Sequence, residues 1–83
     1  MKVTVRYFAS IREALGASEV IEIHEACSVA MVRDALIARG GAHASALQRG
    51  KAVRSALNQV LCDESVAVGS AGEIAFFPPV TGG

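Results

Sequence analysis

The amino-acid sequence predicts an α+β fold in which one long helix covers one face of a mixed sheet. Three observations carry this. Residues 2–8 alternate between apolar and polar, with Phe8 the one exception on the polar face, which is the period of a half-buried strand. One stretch, Val29 to Arg39, spaces its apolar residues as a single helical stripe. The other apolar runs are short, so the main elements follow as strand, strand, helix, strand, strand, strand. That order suits a β-grasp roll, in which the first and last strands pair in parallel at the centre of the sheet.

Along the chain, Val3, Val5 and Tyr7 of the first strand point one way, and Lys2, Thr4, Arg6 and Phe8 the other. Ser10 with Glu13 three residues on reads as a capping box for a short helix that packs Ile11, Ala14 and Leu15 inward and stops at Gly16. Val20 to His24 form a second strand, with Ile21 and Ile23 inward and Glu22 outward, expected antiparallel to the first. Ser28 caps the main helix, whose stripe is Val29, Val32, Ala35, Leu36 and Ile37; Arg33, Asp34 and Arg39 fall largely off it. Gly40 and Gly41 end that helix, and Ala44, Ala46 and Leu47 suggest a helical turn in the connection that follows. Val53 to Leu57 reads as a third strand, Asn58-Gln59 as a turn, and Val60 to Cys62 as a short fourth strand. Asp63 to Gly72 is a loop with room for a 3₁₀ turn. In the last strand, Glu73 to Phe77, Ile74 and Phe76 share one face and Ala75 and Phe77 the other.

A chain of 83 residues has room for one domain, and with 52% hydrophobic residues it can build a core. Eight basic and eight acidic residues cancel, which argues against nucleic acid or an anionic membrane as the main partner. A neutral, apolar-rich small domain is better suited to bind another protein through an apolar patch. The opening residues lack the apolar run of a secretory signal and no stretch has the length of a membrane span, so a cytoplasmic protein is expected. The two cysteines, Cys27 and Cys62, are too few for a disulfide scaffold and are expected reduced.

The sequence closes on Phe76, Phe77, Pro78, Pro79, Val80, Thr81, Gly82 and Gly83. Neither proline can continue a sheet, because each lacks an N–H donor and holds φ near −65°. The division expected is therefore a folded body over residues 1–77 and an extended, flexible tail over 78–83. Six extended residues reach roughly 20 Å at about 3.3 Å each. With no Cβ on its last two residues, such a tail can enter a channel that any side chain would block.

Side chains with a chemistry of their own are few. Cys27 stands just before a helix start, where a thiol can be acidified, although a buried reduced cysteine is the plainer reading. His24, His43 and the cysteines lack metal-ligand spacing, so no metal site is expected. Gly69 and Gly72 read as turn residues rather than a phosphate loop, and Arg12 and Glu13 as solvated helix charges.

The tail FFPPVTGG, preceded by GEIA, resembles the ubiquitin-like sulfur carriers that serve as the small subunit of molybdopterin synthase. The opening VRYFASIREALG and the segment Ala56, Leu57, Asn58, Gln59 resemble the same family, and residues 40–52 contribute least. The resemblance implies a β-grasp fold. It also implies that the Gly83 carboxylate is adenylated by an ATP-dependent activating enzyme and converted to a thiocarboxylate. The tail, Pro78 to Gly82, then threads into a large subunit, where the sulfur passes to cyclic pyranopterin monophosphate to build the dithiolene of molybdopterin. On this reading the chain is a non-catalytic sulfur donor of molybdenum cofactor biosynthesis with no tightly bound cofactor. A carrier for thiamine or another thio-cofactor, or a ubiquitin-like modifier joined to lysines through Gly83, shares the Gly-Gly ending and stands as the alternative.

A β-grasp pairing also places Phe8 beside Phe77 on the sheet face away from the main helix, with Leu61 in reach. The resemblance implies an apolar contact patch for the large subunit and the activating enzyme at these three positions. The other reading is that the chain's own loops cover them.

Overall fold

In the computed structural model, described over residues 1–79, eight elements follow one another. They are β1 (Lys2–Tyr7), α1 (Ala9–Leu15), β2 (Ser18–Glu22), α2 (Val29–Ile37), α3 (Gly41–Leu47), β3 (Arg54–Leu57), β4 (Val60–Cys62) and β5 (Glu73–Phe77). The strands form one sheet in the order β2-β1-β5-β3-β4. β1 and β5 run parallel at its centre, with Val5 beside Ile74 and Tyr7 beside Phe76. The other pairs are antiparallel. This is the β-grasp topology expected from the order of elements.

The alternation in β1 decides which face is buried. Val3, Val5 and Tyr7 join Ile74 and Phe76 beneath Val29, Val32 and Leu36 of α2, Leu47 of α3 and Ile11 of α1. Burying each large apolar side chain contributes about 1.5–3 kcal/mol, offset by the entropy of ordering the chain. Ser28 caps α2 as expected, its hydroxyl accepting from the Met31 N–H at 3.2 Å.

Tertiary pairing moved several boundaries. The Ser10–Glu13 capping box does not form; α1 starts at Ala9, and Phe8 is its N-cap without a side-chain hydrogen bond. The cause lies in the sheet. The Phe8 N–H donates to the Phe76 carbonyl at 3.2 Å, so strand pairing runs to the residue where the helix begins. Ala9, at φ 52°, makes the corner. β2 starts two residues earlier than expected because Ser18 and Glu19 pair with Arg6 and Val5. Ile23 lies just past its end and still packs against the core. α2 ends at Ile37, and Gly40 and Gly41, both at positive φ, make the corner into a true helix, α3. β3 begins at Arg54 rather than Val53, and the described loop over residues 63–72 holds turns and no 3₁₀ segment.

The largest departure is Arg33, which is not a surface residue but 3% exposed. Its Nε donates to the Leu47 carbonyl at 2.8 Å, and its Nη2 to those of Gln48 at 2.8 Å and Lys51 at 3.3 Å. Its Nη1 meets Glu64 at 2.8 Å. Carbonyls at a helix C-terminus have no partner within the helix. A guanidinium from α2 supplies them at the end of α3.

Candidate functional site

The second face of the sheet carries the candidate site. Arg6 lies beside Ala75, Ala75 beside Ala56, and Ala56 beside Leu61, a row across four strands. The two alanines are buried and form a low floor. Phe77 stands further along β5, paired with Arg54, and Phe8 follows the end of β1. Their rings meet edge to face, with centroids 6.5 Å apart at 85°. The Arg6 guanidinium lies 5.4 Å from the Phe8 ring centroid and 3.7 Å from the Glu73 carboxylate. Together these residues line a groove of about 450 Å³.

Local geometry fixes the far wall. Asn58 and Gln59 sit at φ 46° and 70°, which a tight hairpin between β3 and β4 requires. The Asn58 side-chain oxygen accepts from the Gly72 and Glu73 N–H groups at 3.2 and 3.1 Å, tying the turn to the start of β5. This arrangement presents Leu61 at 67% exposure; Phe8 is 37% exposed and Phe77 half-buried. The three residues singled out in the sequence thus share one groove, and the described loops do not cover Phe8 or Leu61. The alanine floor, Arg6, Glu73 and Gln59 were not singled out, although the alternation that places Phe77 outward also places Arg6, Glu73 and Ala75 there.

The groove ends at the root of the tail. β5 stops at Phe77 and Pro78 lines the groove. On the helix side Pro78 also borders a smaller cavity of about 170 Å³ with Ser10, Ile11, Ala14 and Lys51. Pro79 is half-buried. The expected threading residues Val80, Thr81 and Gly82, and the expected reactive Gly83, lie outside the described residues.

The remaining candidates are scattered. Cys27 and Cys62 are free and half-buried. Among the described residues no group of three or more His, Cys, Asp or Glu could hold a metal ion. Gly69 is a turn residue at φ 61°, and Arg12 and Glu13 are exposed.

The most strongly shifted carboxyl, Glu19, lies away from the groove. Tyr7 Oη donates to it at 2.7 Å, His43 Nε2 lies 2.7 Å from it, and Arg39 pairs with it. Burial alone would push this carboxyl up. The hydrogen bonds from His43, Arg39 and Tyr7 outweigh that and hold it at about 2. Burial, with the Glu19 hydrogen bond, pushes the Tyr7 phenol up. The cluster ties β1, β2, α2's end and α3 together and is a structural clamp. A depressed carboxyl stabilises the fold above its ordinary value and ceases to as pH falls toward the folded one. Stability is therefore expected to fall between about pH 4.5 and 2 by about 1–3 kcal/mol through this residue. Glu19→Gln should lose that part of the acid dependence in urea melts taken across this range; an unchanged profile would place the acid sensitivity elsewhere.

The ThiS family pattern matches residues 5–83. The chain is 40% identical over 79 residues to the molybdopterin synthase sulfur carrier subunit of Haemophilus influenzae, covering 95% of this chain and 96% of that protein. It is 35% identical over 81 residues to the protein of the same name from Escherichia coli K12, covering 98% and 99%. Among solved structures it superposes with a TM-score of 0.68 on a chain from the complex of subunits 1 and 2 of molybdopterin-converting factor from Helicobacter pylori, at 26% identity and with both chains fully covered. Among the described residues no helix is long and apolar enough to cross a membrane.

Proposed function

Because this chain belongs to the ThiS family, we infer that it is the sulfur carrier subunit of a molybdopterin synthase, with sulfur held on the Gly83 carboxyl. The observation on the structure that fits this is the open apolar groove of Phe8, Leu61 and Phe77, which reaches Pro78. The near full-length likeness to two sulfur carrier subunits supports it.

The chemistry follows from what a carboxylate lacks. With a pKa of about 3.5 a terminal carboxylate is ionised at neutral pH and a poor electrophile. Attack of its oxygen on the α-phosphate of ATP, held by an activating enzyme, forms an acyl-adenylate and releases pyrophosphate. Sulfur at the sulfide level (HS⁻) then attacks the acyl carbon and AMP leaves, giving the thiocarboxylate. That sulfur is the nucleophile toward cyclic pyranopterin monophosphate in the large subunit. No side chain of this protein takes part in bond-making. Its body supplies docking and its tail supplies reach.

Intact mass spectrometry of the protein isolated from its source cells tests the reading. The expected species carries one sulfur in place of one oxygen on Gly83. Lysine conjugates through Gly83 with no such species would favour a ubiquitin-like modifier.

The groove should bind both the large subunit and the activating enzyme. Phe77→Ala, Phe8→Ala and Leu61→Ala are each expected to weaken binding by about 1–3 kcal/mol, since each removes apolar area that the partner would bury. Fold stability should fall much less, above all for exposed Leu61. Calorimetric titration beside thermal melts reads both effects. Mutants that melt far below wild type yet bind normally when folded would assign these residues to the core.

A further inference from the structure

The two edges of the sheet differ. β4 is three residues long, whereas β2 pairs with β1 in unbroken register over five. Its sequence, SEVIE, has no proline and no lysine, two of the usual protections of an exposed edge; its charges are Glu19, turned to the helix side, and Glu22 at its end. Met1 and Ile23 exchange both backbone hydrogen bonds, and Tyr7 donates to Ala17. Antiparallel alternation then turns the N–H and C=O groups of Ser18, Val20 and Glu22 to the free side. Among the described residues no backbone group bonds to them. Val20, at the middle of this row, is 61% exposed.

The row is self-complementary. In an antiparallel pair of two β2 strands centred on Val20, Val20 faces its own copy and Ser18 faces Glu22 in both directions. About six backbone hydrogen bonds form, two for each facing pair. Glu19 falls opposite Ile21, so no like charges stand opposite each other, and each Glu22 carboxylate meets a serine hydroxyl. Centring the pair on Glu19 would place two carboxylates face to face.

We propose that β2 is a self-association edge, at which a second copy of this chain adds antiparallel through Ser18, Val20 and Glu22 to make a continuous ten-stranded sheet. The groove of Phe8, Leu61 and Phe77 contains no residue of β2, so it stays open in the pair. One strand pair is a small interface, so the dimer is weak and concentration-dependent.

Sedimentation of the purified chain over a concentration series tests this, together with Val20→Lys. That substitution is tolerated at an exposed position but sets two lysines opposite each other. Expected are a monomer–dimer equilibrium for wild type, weakened about tenfold or more in Val20→Lys, with an unchanged thermal melt. The register is tested by oxidising Val20→Cys and Glu22→Cys. Facing residues lie about 5.5 Å apart, within disulfide reach, whereas the two copies of residue 22 would be about 14 Å apart. Val20→Cys should therefore cross-link far more than Glu22→Cys or wild type. A wild type that stays monomeric, a Val20→Lys variant that associates as strongly, or equal cross-linking at both positions would each overturn the proposal.

Discussion

Removal of Gly83 is expected to abolish sulfur delivery while leaving the thermal melt of the protein unchanged. Among the described residues the core cluster runs from Val3 to Phe76, and Gly83 stands seven residues beyond it in the sequence. The proposed chemistry depends on it wholly. Ending the chain at Gly82 withdraws the carboxyl by about 3.3 Å. A misplacement of 1 Å from a reactive geometry can already cost about a hundredfold in rate. Adding one residue after Gly83 should be as damaging, because the activated carboxyl is then displaced forward by the same distance. Gly82→Val asks a separate question. If the tail enters a narrow channel, a branched side chain blocks it, and adenylation or transfer should fail in a protein that folds normally. The measurement is single-turnover transfer in a purified system, with melts alongside. Full transfer from either length variant would remove Gly83 from the mechanism, and normal rates from Gly82→Val would show a wider channel.

Arg33→Met is expected to be the most destabilising of the substitutions considered. The side chain keeps much of its apolar stem but loses its charge. The carbonyls of Leu47, Gln48 and Lys51 lose their donor, and Glu64 keeps only Arg49. Removing one partner of a buried, multiply bonded charge costs about 2–4 kcal/mol. For a domain of this size that lowers Tm by roughly 10–25 °C. Arg49→Ala is the control. Arg49 pairs with Asp34 and Glu64 too, but its side chain is 46% exposed, so the loss should stay below about 1 kcal/mol. If Arg33→Met melts within about 3 °C of wild type, the carbonyls at the end of α3 are satisfied without it.

Much of this molecule could be read from local pattern. The strict alternation at Val3, Val5 and Tyr7, and again at Ile74 and Phe76, assigned both central strands and their buried face, because a strand's side chains repeat every two residues whatever lies beside it. Ser28, Gly16 and Asn58-Gln59 likewise declared their roles, since a cap and a tight turn are set by a few consecutive dihedral angles. The same alternation turned Phe77 outward, and the ending of the chain drew attention to Gly82 and Gly83. Other features are long-range. Ser10 and Glu13 had the spacing of a capping box, yet the Phe8 N–H was taken by the Phe76 carbonyl, a residue distant in sequence. Arg33 was expected off the apolar stripe of α2 because it is charged, yet it stands four residues after Val29 and three before Leu36, on the buried side of the helix; the arrival of α3 and the loop after it supplies the carbonyls that satisfy it there. Glu19 becomes strongly acidic because Tyr7, Arg39 and His43, from three other parts of the chain, meet on it. The open groove is of the same kind, since its alanine floor exists only once β1, β5, β3 and β4 lie side by side. The sequence by itself determined what neighbours along the chain can impose: the period, the caps, the turns and the end of the last strand. The tertiary structure alone decided what distant residues impose: how the buried charges are paired, where α1 and β2 begin, and which apolar side chains remain open to a partner.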